Sequence, residues 1–210
     1  MHSLIQAADA WSLWELAGVV LAIGYLLLAV RENVWCWYFA FVSTAIYTVL
    51  FWDVSLLMES ALNMYYMAMA VFGWYRWTRG GAGQGGGENA KHHQLPIRSM
   101  STRQHGLVIA AIAVLSVVSG YLLSRYSVAA WPYVDSFTTW ASVITTYLVA
   151  QKYLQNWLYW VVIDTVSIPL YIDRGLNLTA LLFVAYVIIA VAGYISWRNH
   201  FRNIGQAVAT

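Results

Sequence analysis

Seven long apolar segments follow one another along the chain, and few charged residues interrupt them. A helix needs about 20 mostly apolar residues to cross the hydrocarbon core of a bilayer. We therefore predict seven transmembrane helices, over residues 11–30, 34–52, 54–77, 105–124, 131–150, 156–172 and 176–197. Only a few residues separate segment 2 from segment 3 and segment 6 from segment 7, so each of these pairs is expected to form a tight helical hairpin.

One long polar interruption separates the third segment from the fourth. Residues 78–104 contain a glycine-rich run and several basic residues, a composition typical of a flexible linker. If this linker is cytoplasmic, nine of the eleven Lys and Arg residues lie inside, as the positive-inside rule requires. We therefore expect the N-terminus outside and the tail, residues 198–210, in the cytoplasm.

The sequence also matches itself when it is shifted by 120 residues without gaps. The identical pairs include Trp37 with Trp157, Asp53 with Asp173, Tyr66 with Tyr186, Gly73 with Gly193 and Trp77 with Trp197. Chance explains matches among common apolar residues, but it explains these pairs badly. We infer an internal duplication of a three-helix unit, with copies at 11–77 and 131–197 and a linker helix at 105–124 between them.

The predicted fold is an all-α integral membrane protein with two three-helix-bundle repeats in a three-plus-one-plus-three order. The linker helix restores the direction of the second copy, so the repeats are parallel. This helix is apolar on all sides and is expected to face lipid. Two matched bundles are the layout of a transporter, which places a central site near the bilayer midplane.

Composition supports the membrane class and excludes others. Hydrophobic residues make up 61% of the 210 residues and charged residues 10%, whereas soluble domains carry about 25% charged residues. An ordinary soluble enzyme and a nucleic-acid binder with a basic face are therefore excluded. With one cysteine, and with His105 at the membrane boundary as the histidine nearest to any span interior, we expect neither a metal nor a cofactor. The chain has no ATP-binding motif and no plausible nucleophile–base pair, so we expect no enzyme activity.

Polar and aromatic residues recur every three or four positions inside four of the spans, so that each set shares one helix face. These faces are expected to point inward, because lipid offers polar atoms no hydrogen-bond partner. The candidate substrate-binding residues on these spans are Trp37, Thr44, Glu59, Asn63, Tyr66, Ser142, Thr146, Trp157, Trp160 and Asp164.

Asp164 is the strongest candidate because it lies near the centre of its span. A charge there costs roughly 2.5–3.5 kcal/mol on insertion scales, and no Lys or Arg occupies the middle of any span to offset it. Trp160, one turn away, can attract a cation with its ring face. The alternatives are a protonated Asp164 bonded to a hydroxyl such as Thr146, an interfacial position for Trp157, and a water-exposed Glu59 near the outer end of its span.

Three motifs in the membrane part are rich in aromatic and amide residues. They are Tyr133-x-Asp135-Ser136, the run from Lys152 to Trp160, and Phe72-Gly73-Trp74-Tyr75-x-Trp77. Together they resemble the bacterial nicotinamide riboside transporter family (PnuC-type), over about residues 11–200. The resemblance implies a fold related to the SWEET sugar transporters, a homotrimer in the bacterial inner membrane, and facilitated diffusion of a dephosphorylated vitamin. It also implies that the family's substrate-binding tryptophan corresponds to Trp160.

One departure from the family pattern affects the expected substrate. Riboside-type members are expected to carry amide side chains where this chain has Thr146 and Asp164. A carboxylate favours a substrate with a formal positive charge, and both nicotinamide riboside, a pyridinium, and thiamine, a thiazolium, satisfy that condition. We expect uptake of nicotinamide riboside, an NAD precursor. Thiamine transport within the same family, and proton-coupled uptake of a related nucleoside or vitamin, are the alternatives.

Overall fold

The computed structural model describes residues 2–53, 57–80, 95–127, 130–173, 175 and 177–209, with the side chains of 2–12, 57–58, 178 and 204–209 left aside. Seven helices and no strand make up the secondary structure of these residues, which confirms the predicted all-α class. The helices are α1 (His2–Val30), α2 (Cys36–Asp53), α3 (Leu57–Arg79), α4 (Thr102–Tyr126), α5 (Pro132–Ala150), α6 (Asn156–Asp173) and α7 (Asn177–Ala209).

Within the part of the chain that the structure describes, three helices are long and apolar enough to cross a membrane on length and composition alone. These segments are Leu13–Val30 in α1, Thr102–Tyr126 in α4 and Thr179–Asn203 in α7. The other four helices carry more of the polar and aromatic positions, which lowers their hydropathy. Large apolar side chains point outward on the three apolar helices, as lipid contact requires, and Leu16, Leu107 and Ile188 are all more than half exposed.

The chain divides into two compact units, Met1–Leu95 and Pro96–Thr210. In the first unit α1 packs on α2, and α2 packs on α3. In the second unit α4 packs on α5, α5 on α6 and α6 on α7. The linker helix therefore belongs to the second unit, although the sequence suggested a separate spacer between the copies.

Helix α4 is exposed on most of its surface, but one face packs closely on α5. Gly120 lies so near the neighbouring helix that a Cβ there would meet the Tyr133 ring at 2.5 Å. Close by, the indole Nε1 of Trp140 donates a hydrogen bond to Ser119 Oγ at 3.0 Å. The expectation that α4 faces lipid on all sides is thus corrected for this face, where small residues let the helices approach.

The predicted linker 78–104 is shorter in the structure and partly packed. Helix α3 continues to Arg79 and α4 begins at Thr102. Before α4, Arg98 N donates to Lys152 O at 2.9 Å and Leu154 N donates to Arg98 O at 2.8 Å, which forms a parallel bridge. Leu95, Ile97 and Met100 are buried. Residues 95–101 are therefore ordered, contrary to the expected flexible linker, whereas most of the glycine-rich run lies outside the described residues.

The 120-residue shift that relates the two copies in sequence also relates their local backbone structure. Asn33 N donates to Leu28 O at 2.9 Å after α1, and Tyr153 N donates to Leu148 O at 3.0 Å after α5. The residue before each donor, Glu32 or Lys152, has a φ of 54°. Two turns that agree in bonds and in a rare left-handed residue support the inferred duplication.

Candidate functional site

A tryptophan pair holds α6 against α7 in the second unit. The rings of Trp157 and Trp197 meet edge to face, with centroids 5.5 Å apart and planes at 89°. A Cβ on Gly193 would come within 2.7 Å of the Trp157 ring, so that glycine provides the space for the indole. Trp157 is 2% exposed and Trp197 is fully buried. Trp157 is therefore a packing residue rather than an exposed interfacial one, and its indole N–H has no hydrogen-bond partner among the described residues. A substrate contact by Trp157 stays a prediction.

The first unit repeats this arrangement between α2 and α3. Trp37 and Trp77 are 5.3 Å apart at 87°. A Cβ on Gly73 would lie only 2.4 Å from the Trp37 ring. Trp37 is 2% exposed and contributes to helix packing as well, while its indole N–H has no hydrogen-bond partner among the described residues. A substrate contact by Trp37 stays a prediction.

The ring contacts between α6 and α7 also fix the neighbour of Asp164. The Trp157 ring contacts the Trp197 ring, and the Tyr171 ring contacts the Phe183 ring. From the first contact to the second, the chain advances fourteen residues along α6 and goes back fourteen residues along α7. The two helices run antiparallel in this hairpin. Asp164, midway along α6 between the two contacts, therefore lies level with Ala190, which is 3% exposed.

The same register places Thr44 at the equivalent position in the first unit, level with Ala70. Both positions thus face a small buried alanine across a helix pair, and Ala70 is 1% exposed. Thr44 satisfies its own hydroxyl by donating to Ala40 O at 2.8 Å in the preceding turn. A carboxylate at this position cannot do so, because it has no proton to donate.

Asp164 has no such partner. Its side chain is 5% exposed and makes no hydrogen bond or ion pair with any residue that the structure describes. The alternative of a bond to Thr146 is not observed, since Thr146 Oγ1 donates to Ser142 O at 2.8 Å. A buried polar group without a partner is costly. A carboxylate in this position therefore needs a proton or a cation from elsewhere.

Several other predicted residues lie on α5 and α6, which pack against each other in the second unit. Trp160 is half-buried and packs against the cluster of Ile112, Ala141 and Ile163. Ser142 and Thr146 are buried on α5. Ser167, one turn after Asp164, donates its hydroxyl to Ile163 O at 2.9 Å. The second unit thus combines a carboxylate, an indole and two hydroxyl groups on neighbouring helices.

The structure adds two buried hydroxyl groups on α5 that were not among the predicted substrate-binding residues. Thr145 Oγ1 and Ser136 Oγ, both on α5, are enclosed and have no hydrogen-bond partner among the described residues. Thr145 is fully buried and Ser136 is 4% exposed. The sequence does show a high density of Ser and Thr along α5, which could have indicated these two residues. The three- and four-residue spacing that starts at Asp135 covers them only in part.

The predicted residues of α3 lie in the first unit and are more accessible. Asn63 and Tyr66 are half-buried, and Asn63 Nδ2 donates to Glu59 O at 2.9 Å. Glu59 is exposed in the first turn of α3, which favours the water-exposed alternative for this residue. Within the described ranges, no group of three or more His, Cys, Asp or Glu side chains is arranged to hold a metal ion.

The sequence model of the nicotinamide mononucleotide transporter family matches residues 12–199. The chain belongs to this family. The predicted family resemblance is confirmed, and with it a membrane-spanning transporter of a small molecule rather than an enzyme. The crystal structure of the vitamin B3 transporter PnuC matches with a TM-score of 0.71 at 22% identity, over 96% of this chain and 87% of that one. This likeness supports the seven-helix membrane fold.

Two relatives that are similar in sequence to this chain are named for different vitamins. The riboflavin/roseoflavin transporter RibM of Streptomyces davaonensis is 26% identical over 199 residues, which cover 94% of this chain and 89% of RibM. The nicotinamide riboside transporter PnuC of Escherichia coli K12 is 24% identical over 213 residues, which cover 91% of this chain and 87% of PnuC. Family membership makes the chain a vitamin transporter, and the choice of vitamin depends on its own site residues.

Proposed function

We propose that this protein takes up nicotinamide riboside across the bacterial inner membrane by facilitated diffusion. The observation that carries the proposal is the buried Asp164 carboxyl group, which has no partner among the described residues. Nicotinamide riboside brings a pyridinium charge that can offset this carboxylate while it is bound. A passing cation also explains why no resident Lys or Arg occupies the span.

Each of the other predicted residues offers chemistry that suits this substrate. Trp160, one turn from Asp164, offers an aromatic face for the flat pyridinium ring, and such contacts are worth about 0.5 to 2 kcal/mol. Ser142 and Thr146 supply hydroxyl groups on α5 for the carboxamide or the ribose. Asn63 and Tyr66 supply an amide and a phenol from α3, and both are accessible. Thr44 and Glu59 are weaker candidates, because Thr44 is self-bonded and Glu59 is exposed.

We also propose that the N-terminus lies outside, the C-terminus lies in the cytoplasm, and the protein is a homotrimer. The distribution of basic residues supports the orientation, and the resemblance to PnuC-type transporters supports the trimer. Cysteine labelling at either terminus with a membrane-impermeant reagent tests the first statement, and mass measurement of the detergent-purified protein tests the second. If the reagent labels the C-terminus in intact cells, the proposed orientation is wrong. If the purified protein is purely monomeric, the proposed homotrimer is wrong.

The central test compares Asp164→Asn with Ser167→Ala in binding assays on purified protein. Removing one partner of a buried charge pair costs about 2–5 kcal/mol, so Asp164→Asn is expected to weaken nicotinamide riboside binding about 30-fold or more. Ser167→Ala is the matched control on the same helix face, because that hydroxyl is already bonded to Ile163 O. Equal affinities of the two variants contradict the proposed role of Asp164.

Riboflavin is the second candidate, and the 26% identity to RibM is the observation that favours it. Riboflavin carries no formal positive charge, so Asp164→Asn is expected to leave its binding nearly unchanged. If wild-type protein binds riboflavin but not nicotinamide riboside or thiamine, the cation proposal is wrong. Uptake into liposomes with and without a pH gradient tests the passive mechanism, and uptake that depends on the gradient indicates proton coupling instead.

A further inference from the structure

A cavity of about 440 Å³ opens in the first unit between the beginning of α2 and the end of α3. Apolar and aromatic side chains make up most of its wall, among them Trp35, Tyr38, Phe41, Val71 and Trp74. Three of them, Trp35, Tyr38 and Val71, are more than half exposed. The predicted substrate contacts Thr44, Asn63 and Tyr66 are not part of this wall, whereas the buried residues Trp37 and Ala70 are.

Two basic residues lie close in the chain to the groove wall, at the end of the hairpin where α2 begins and α3 ends. Arg31 lies in the turn before α2, and Arg79 ends α3 with its guanidinium carbon 5.3 Å from the centre of the Tyr75 ring. Both arginines are exposed, and the half-buried Arg76 lies between Tyr75 and Arg79 in the chain. Glu32 is the acidic residue of the same turn, so the described charges at this end sum to a positive value.

The second copy of the repeat differs from the first at most of these positions, although it carries its own basic residues Lys152 and Arg198 at the corresponding end. At the positions equivalent to Trp35, Tyr38 and Phe41 it carries Gln155, Leu158 and Val161, and at those equivalent to Arg31 and Arg79 it carries Gln151 and Asn199. The turn and the tryptophan pair are common to both copies, as described above. The aromatic wall of the groove and the positions of Arg31 and Arg79 are therefore specific to the first copy.

We propose that this groove binds an anionic phospholipid, with an acyl chain against the aromatic side chains and the phosphate at Arg31 and Arg79. The occupant of an apolar groove on a membrane-spanning protein is hydrocarbon, since no water is present at that depth. Tryptophan and tyrosine are enriched in the headgroup region of the bilayer, where the apolar part of the side chain contacts hydrocarbon and its polar group contacts water. Basic side chains near the membrane surface attract acidic lipids.

The test is native mass spectrometry of the full-length, detergent-purified protein with phosphatidylglycerol or phosphatidylcholine of the same acyl chains. Each arginine near an anionic headgroup is expected to contribute about fivefold in affinity. Wild-type protein should therefore retain phosphatidylglycerol over phosphatidylcholine, and Arg31→Ala combined with Arg79→Ala should remove that preference. Tyr38→Ala should lower the retention of both lipids. Arg202→Ala, which removes an exposed arginine from α7, is the matched charge control.

Three outcomes overturn the proposal. The first is equal retention of the two lipids by wild-type protein. The second is an Arg202→Ala variant that loses phosphatidylglycerol as strongly as the double variant does. The third is a Tyr38→Ala variant that changes the oligomeric state and leaves lipid retention unaltered, because a second copy of the chain then occupies the groove. None of these outcomes depends on which vitamin the protein carries.

Discussion

The fit between Gly193 and Trp157 gives the sharpest test of the packing described above. Alanine at position 193 would place a Cβ 2.7 Å from three atoms of the Trp157 ring. Carbon atoms prefer separations of about 3.5–4.0 Å, so the ring or the helix must move. The ring has little room, because Trp157 is 2% exposed and the fully buried Trp197 meets it edge to face.

The expected magnitude follows from two opposing terms. Overpacking a filled core costs about 1–3 kcal/mol, and a ring enclosed on both sides favours the upper half of that range. Alanine recovers about 1 kcal/mol of helix propensity relative to glycine. The net loss for Gly193→Ala is therefore about 1–2 kcal/mol. At about 2–4 °C per kcal/mol for a chain of this size, Tm should fall by about 2–8 °C.

Thermal denaturation of detergent-purified variants measures this effect. Gly106→Ala is the matched control, because a Cβ at that helical position meets no atom within 4 Å, and its Tm should stay level or rise. Gly73→Ala should lose at least as much as Gly193→Ala, since its Cβ would lie 2.4 Å from the Trp37 ring. The reasoning is refuted if Gly193→Ala melts at or above the temperature of Gly106→Ala.

Three further predictions use the same thermal assay. Ser101→Ala removes the capping box that Ser101 forms with Gln104 at the start of α4, and the unfolding free energy should fall by about 0.5–2 kcal/mol; an unchanged Tm contradicts this. Glu32→Val should destabilise more than Glu32→Gly, because a β-branched residue tolerates a φ of 54° poorly, and the reverse order is the contrary result. Trp140→Phe should cost about 1 kcal/mol through the lost bond to Ser119 Oγ, and no loss means that the bond is unimportant.

The number and order of the helices could be predicted because bilayer thickness sets the length of an apolar segment. The duplication stays an inference from Trp, Gly and Tyr pairs that recur at one fixed shift, and the matching turns after α1 and α5 are consistent with it. The burial of Asp164 followed from its central position in a span and from the absence of a basic residue there. The first and last of these inferences use only local sequence and spacing, which explains their success.

Other features depend on residues far apart in the chain, and the sequence did not reveal them. Trp157 resembled a ligand-binding or interfacial residue, and only its contact with Gly193, 36 positions later, makes it a packing residue. Residues 95–101 resembled linker because their bonding partners lie in the turn after α5. In the sequence, Thr145 does not differ from the other Ser and Thr residues of α5, and only the structure shows that its hydroxyl is enclosed without a hydrogen-bond partner among the described residues.

The equivalence of Thr44 and Asp164 has an evolutionary consequence. Both occupy the same place opposite an alanine, but the threonine completes its own bonding and the aspartate does not. A gene that carries two copies of one bundle can keep the self-sufficient residue in one copy. Under the proposed function, the other copy is then free to acquire an energetically unfavourable group, which the bound cation would offset. Selectivity could thus arise by change in one half while its twin preserved the architecture.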